Sequence, residues 1–184
     1  MRIYFATSNR HKVLEASSVL KRYSIEVEQI MVKKLEVQAD DVEEIARTAA
    51  EDLCARRMDM TVVEDDGLYI KALEGFPGPY SEYVYRTLGL RRVLKLLEGV
   101  GDRSAFFKAA VGLCNNGVPH VFVGVVDGEI ALEPRGLGGF GYDPIFIPKG
   151  YSLTFAELSI EEKSKISHRA RAFQALAEWL LAHN

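Results

Sequence analysis

"TVVEDDGLYIKAL", Thr61 to Leu73, passes from β-branched residues into three consecutive acids and then a glycine. The first six residues predict a strand, Gly67 a turn, and "LYIKAL" a second strand beyond it. Three carboxylates crowded where the chain leaves its core repel one another, so the pattern is simplest to understand if they share a cation. The competing reading is a polar turn whose acids are solvated.

Working outward, the first half of the chain alternates strands and helices. "RIYFA" predicts a buried strand, "TSN" a short polar break, and the segment from Arg10 a helix with Val13, Ala16 and Leu20 on one face. "IEVEQIMV" alternates as a strand. A helix follows with Val42, Ile45, Ala46, Ala49 and Leu53 on its apolar face, opened by Asp41 with Glu44 three residues on, as in a capping box. The second half predicts one long helix from Tyr80 to Glu98, then "AFFKAAVGLC", "VPHVFVGVV" and "EIAL" as strands turning at "NNG" and "DGE". A terminal helix carries Ala170, Phe173, Ala177 and Leu180 as a stripe. These elements predict an α/β fold with a mixed sheet flanked by helices, formed by residues 1–184 as a single domain.

The chain has 184 residues, 23 basic and 26 acidic, with a net charge of -3. That balance argues against a broad basic face for nucleic acid and makes any phosphate contact local. No apolar run approaches the roughly 20 residues of a membrane helix, and a soluble intracellular protein is expected. Cys54 and Cys114 lie in apolar surroundings without the paired spacing of a zinc site and are expected to be buried reduced thiols.

Four loops carry chemistry. In "TSNRHK" a strand ends just before a helix, so free backbone N–H groups, the positive end of the helix dipole and Lys12 would suit a phosphate; alternatively Ser8 or Asn9 only caps the helix. Glu36 offers a carboxylate to converge with Glu64 and Asp65 on a divalent cation. "GGFGYD" joins flexible backbone to Phe140, Tyr142 and Asp143, which suits a planar ring, although both aromatic rings could be core. "EEKSKISHRARA" gathers Lys163, Lys165, His168, Arg169 and Arg171, either a solvated face or a set of convergent donors. Together the loops read as a nucleotide site.

The ordered motifs "TSNRHK", "VEDDGL", "FPGPYS", "GGFGYDPIF" and "EEKSKISHR" resemble those of the inosine triphosphate pyrophosphatase family, also called Ham1-like or dITP/XTP pyrophosphatases, over nearly the whole chain. The resemblance implies an elongated mixed sheet with two lobes around a central cleft, a cytoplasmic homodimer, and Mg²⁺-dependent hydrolysis of ITP, dITP and XTP to the monophosphate and pyrophosphate. Such an enzyme removes deaminated purines from the nucleotide pool and needs no direct nucleic-acid or membrane partner.

By motif, the resemblance implies a phosphate loop of Thr7, Ser8, Asn9, Arg10, His11 and Lys12. Glu36 and Asp65, with Glu64 assisting, resemble the metal acids, and Asp65 the general base. Asp66 falls near the substrate where relatives often have Ser or Thr. Phe140, Gly141, Tyr142 and Asp143 match the base loop, Lys163 a second triphosphate contact, and His168 with Arg169 the pair that reads the purine. Many relatives carry a lysine in the helix after the acidic stretch, where Ala49 stands here.

Overall fold

The structure is a computed structural model that describes residues 1–183. Strand β1 (Arg2–Ala6) buries Ile3 and Phe5 and ends at the polar break, where Asn9 caps helix α1 (Arg10–Leu20). Strand β2 (Glu26–Ile30) runs parallel to β1 with Val27 opposite Ile3. Helix α2 (Val42–Ala55) buries Val42, Ile45, Ala46, Ala49 and Leu53, the face its periodicity predicts. Strand β3 (Thr61–Ile70) is parallel to β1, and the two-residue β4 (Pro77–Gly78) pairs antiparallel with its far end.

Helices α3 (Ser81–Thr87) and α4 (Leu90–Lys95) precede the long strands β5 (Ser104–Asn115) and β6 (Val118–Ile130). A short strand β7 (Phe146–Pro148) and helices α5 (Ile160–Ile166) and α6 (His168–Ala182) complete the order. The sheet runs β2-β1-β3-β5-β6-β7, with β4 beside β3. It is parallel from β2 to β3 and antiparallel from β3 onward, so the mixed sheet predicted from the alternation is present.

Because side chains alternate along a strand, β3 divides its residues between two faces. Val62 joins a core formed by β1, α1 and α6, including Phe5, Leu20, Phe173 and Leu176. Leu68, on the same face, joins a second core with Val93, Phe107, Ile145, Phe146 and Phe155. Full burial of each such side chain contributes about 1.5–3 kcal/mol. Glu64 and Asp66 lie between Val62 and Leu68, on the border of the two cores. Val63 faces the other way, against Ala49 and Leu53 of α2.

Two glycines allow helices to lie close on the sheet. A Cβ at Gly112 would collide with the Ala46 carbonyl oxygen of α2, and one at Gly124 with the His168 carbonyl oxygen at the start of α6.

Several local expectations are corrected. β3 continues through Gly67 without a turn, and a 3₁₀ turn at Lys71–Leu73 replaces the end of the expected second strand. A Cβ at Gly67 would strike the Gly78 carbonyl oxygen, so that glycine serves close approach of a loop. Gly89, with φ of 76°, splits the expected helix of residues 80–98 into α3 and α4. β6 stays extended through "DGE" because β5 and β7 both pair with it there, at Phe106↔Asp127 and Gly128↔Pro148. "NNG" does turn the hairpin, with Asn116 and Gly117 both at positive φ. At α2, Asp41 caps through the Glu43 amide, while Lys108 binds Asp41 and Glu43; the complete capping box occurs at Ser159 and Glu162 of α5.

The largest correction concerns the cysteines. Cys54 near the end of α2 and Cys114 on β5 form a disulfide, with Cα atoms 5.3 Å apart, and are not reduced thiols. Their composition and spacing carry no sign of this, because pairing depends on a tertiary approach of two elements. The bond spans 60 residues, so in the chain-entropy account it constrains the unfolded state by about 4 kcal/mol. Cys114→Ser is therefore expected to lower Tm in thermal unfolding without reductant. Equal Tm values for the two proteins would show that the bond contributes nothing.

Candidate active site

At the end of β1 the chain turns into α1 through local bonds: Asn9 Oδ1 accepts from the amides of His11 and Lys12, and the Asn9 amide donates to Thr7 Oγ1 at 3.1 Å. Gln29 of β2 holds the Thr7 carbonyl at 2.8 Å. The cap reading of Asn9 therefore holds, and Ser8, Arg10 and His11 stay exposed at the helix start. Lys12, one turn in, points to β3, where its Nζ lies 2.6 Å from Glu64 and 2.5 Å from Asp66. Burial alone would lower the Lys12 pKa, but Asp66 and Glu64 outweigh it and hold it above the usual range.

From the opposite side, Ser167 caps α6 and brings in His168 and Arg169. Arg169 is 1% exposed, and each of its three nitrogens faces a different acid. Nη1 binds Glu15 at 2.7 Å, Nε binds Glu64 at 3.0 Å, and Nη2 lies 3.1 Å from Asp66. Those carboxylates raise its pKa well above the ordinary value despite burial. The His168 ring stacks on Phe107 of β5 at 4.5 Å, with Nε2 3.5 Å from Asp66, while the buried Nδ1 has no hydrogen-bond partner among the described residues.

The glycine-rich loop completes the cluster. Asp143 accepts from the Phe140 amide at 2.9 Å and from Lys163 at 2.8 Å, and Gly139 is needed because a Cβ there would meet the Asp143 carboxylate. Gly141 at φ of 60° turns the loop between them. Phe140 lies under two cations, Lys163 at 5.0 Å and Arg169 at 5.4 Å from its ring centre, and His11 stacks on it at 5.2 Å. Tyr142 belongs to the second core, its hydroxyl donating to the Ser81 carbonyl. Of the two aromatic rings in this loop, Phe140 is the one in contact with the ion cluster.

Glu15 is absent from the sequence-derived set but central to the cluster. Besides Arg169 it accepts from Ser167 Oγ at 2.6 Å and lies 3.5 Å from Lys163. Burial would raise its pKa, yet Arg169 and then Lys163 hold it at about 2. Asp66 is likewise held well below the carboxylate range, against burial, by Lys12 and Arg169. A signal for Glu15 existed: it lies beside Ala16 and one turn before Val19 on the buried face of α1, where a lone acid needs a partner.

Asp65 stands apart from its neighbours. It faces the α2 side, where its pairing partner Ala110 packs with Val42 and Ala46, and its carboxylate accepts from Lys34 at 3.1 Å. Ala49, where many relatives are expected to carry a lysine, is buried with Leu53, Val63 and Cys114, and the cation paired with Asp65 comes from another segment, as Lys34. Glu36 follows two residues after Lys34. There is a gap in the pairing along one edge of β3: the last β1 partner is Val62 and the first β4 partner is Leu68, so Val63–Gly67 pair with β5 alone.

The donors on this side test the fit of a divalent cation. Asp65 offers a hard oxygen ligand of the kind Mg²⁺ takes, usually one or two carboxylates with substrate phosphates, and Glu36 is an exposed carboxylate two residues along the chain from the Asp65 partner Lys34. Glu64 faces the opposite side, where it is paired with Lys12 and Arg169. Among the described residues, no group of three His, Cys, Asp or Glu is already assembled for a metal.

Fold and cluster define an α/β protein with a buried ion network and an attached aromatic ring at a gap in its sheet. The profile of the Ham1 family matches residues 3–179. The chain is 60% identical over 184 residues to the dITP/XTP pyrophosphatase of Pyrobaculum aerophilum, covering all of this chain and 98% of that one. It is 56% identical over 181 residues to the dITP/XTP pyrophosphatase of Ignicoccus hospitalis, covering 97% and 96%. The structure of a HAM1 protein from Coxiella burnetii superposes with a TM-score of 0.84 at 33% identity, covering 99% of each chain. The chain belongs to the Ham1 family.

The depressed acids give the cluster a pH signature. For Glu15 the folded value near 2 lies below the ordinary 4.5, so its contribution to stability is complete above about pH 5 and is lost as pH falls toward 2; Asp66 acts in the same direction. Tm is expected to hold from pH 7 to about pH 5 and then decline. A Tm that stayed constant to pH 2.5 would contradict these assignments.

Proposed function

We propose that this protein is a nucleoside triphosphate pyrophosphatase that hydrolyses dITP, XTP and ITP to the monophosphate and pyrophosphate with Mg²⁺. The observation that carries the reading is that Lys163 and Arg169 converge on the Phe140 ring, while Lys12 shares the Glu64 and Asp66 carboxylates with Arg169. Cations suited to a triphosphate and a ring suited to a purine thus adjoin one another. The names of the relatives support the same chemistry.

In this reading Asp65 accepts the proton of a water attacking the α-phosphorus. Mg²⁺, held by Asp65 and Glu36, would supply positive charge to the phosphates and favour ionisation of water. Lys12 exchanges Asp66 for a phosphate oxygen, and Lys12 with Lys163 stabilises the departing pyrophosphate. Thr7, Ser8, Asn9, Arg10 and His11 shape the phosphate end, with His11 yielding its place on Phe140 to the base.

Recognition of the base falls to His168 and Arg169. Hypoxanthine and xanthine present an acceptor oxygen at position 6 where adenine presents an amino donor, so N–H donors would favour the former and be left unpaired against the latter. The unpaired, buried His168 Nδ1 is one polar atom that such a ligand could satisfy. Assembly as a cytoplasmic homodimer acting on free nucleotides, without nucleic acid, belongs to the same proposal. Among the described residues, no helix is long and apolar enough to cross a membrane.

Incubation with Mg²⁺ and, separately, dITP, XTP, GTP and ATP, followed by anion-exchange chromatography, is expected to give monophosphate and pyrophosphate from dITP and XTP with ATP spared. Diphosphate and orthophosphate would refute attack at the α-phosphorus, and tight binding without products would make the protein a nucleotide sensor. Asp65→Asn is expected to lower kcat by about 10²-fold or more while nucleotide binding persists, on the scale of a lost general base. Retained turnover would remove Asp65 from that role.

A further inference from the structure

Glu15 lies outside every motif that suggested the nucleotide site, yet it touches more of the recognition corner than any of those residues' backbone bonds would require. Its carboxylate meets Ser167 Oγ, Arg169 Nη1 and Lys163 Nζ, groups drawn from α5, α6 and the residue between them. It also stands on α1 one turn after Lys12. One acid therefore ties the helix bearing the phosphate lysine to the segment bearing His168 and Arg169.

We propose that Glu15 is a positioning residue for purine selection: it pins Arg169 through Nη1 and fixes the α6 start through Ser167, so that only the Nη2 edge can turn to the base. This rests on the nucleotide reading above. The three acids around the guanidinium are not equivalent. The Glu15 and Glu64 side chains are 5% and 0% exposed, whereas that of Asp66 is 18% exposed; Glu64 and Asp66 both hold Lys12, and Glu15 does not.

A triphosphate that draws Lys12 away from Glu64 and Asp66 leaves both acids with Arg169, and Asp66, the most accessible of the three, is the one free to move. Glu15 and Glu64 keep their bonds, and Arg169 then presents one edge in one orientation. A planar guanidinium held on two of its nitrogens has little freedom to rotate, which is what discrimination between an oxygen and an amino group needs. Were Glu15 only a packing contact between α1 and α6, its loss would weaken every substrate alike.

Glu15→Gln keeps the size and one acceptor oxygen but removes the charge. With kcat/KM measured for dITP and dATP on the same preparation, any loss of folded protein cancels in their ratio. The preference for dITP is expected to fall about tenfold or more, the scale of one charge-assisted hydrogen bond. An unchanged ratio, with both substrates losing equally, would overturn the proposal.

A second readout needs neither nucleotide nor turnover. In ¹⁵N NMR of the free protein, the Arg169 Nε–H is expected to exchange slowly in the wild type and faster in Glu15→Gln. Rapid exchange in the wild type would overturn the clamp even if the variant failed to fold. Failure of the wild type to cleave either nucleotide would remove the nucleotide reading and this proposal together, an outcome distinct from an unchanged ratio.

Discussion

The buried guanidinium of Arg169 is the constraint on which the site depends. A charge at 1% exposure is tolerated only with close, well-directed partners, and here each nitrogen has its own carboxylate. Those carboxylates come from α1 and β3, so the guanidinium fixes α6 against both. Removing one partner would leave an uncompensated buried charge, a change that commonly costs about 3–5 kcal/mol. Gly124 makes the arrangement possible by letting the start of α6 rest on β6. Lys12 and Lys163 extend the same network to the turn before α1 and to the glycine-rich loop.

Strand alternation decides how the acids of β3 share their work. Glu64 and Asp66 face the cations, while Asp65 faces Lys34 on the opposite side. Between the β1 and β4 pairings, Val63–Gly67 have β5 as their strand partner on one edge and no β1 or β4 partner on the other. The parallel half of the sheet ends at β3, and the antiparallel half begins on its other side.

Much of this was legible in the sequence where a regular period fixed the element. The buried faces of α1, α2 and α6, the hairpin at Asn116–Gly117 and the change from alternating to antiparallel elements follow from apolar spacing and turn chemistry. The motif residues Lys12, Glu64, Asp66, Phe140, Asp143, Lys163, His168 and Arg169 lie in one connected network. Expecting Glu64 and Asp65 to converge overlooked that adjacent residues of a strand point to opposite faces, a conclusion already implied by reading "TVVEDD" as a strand. The continuation of β3 through Gly67 and of β6 through "DGE" depended on partners supplied by other strands. Lys34 and the Cys54–Cys114 bond likewise depend on tertiary approach. Glu15 differs from these, because an acid on the apolar face of α1 was visible and simply lacked an identified partner.

The central claim is that the Lys12–Arg169 network is a nucleotide site whose acids hold the place of the ligand. The most direct measurement is the crystal structure of the protein with the α,β-methylene analogue of dITP and Mg²⁺. Lys12 Nζ is expected on a phosphate oxygen in place of Asp66, the purine on Phe140, and Arg169 still bound to Glu15 and Glu64. A nucleotide bound elsewhere, with the Lys12–Asp66 contact intact, would contradict it.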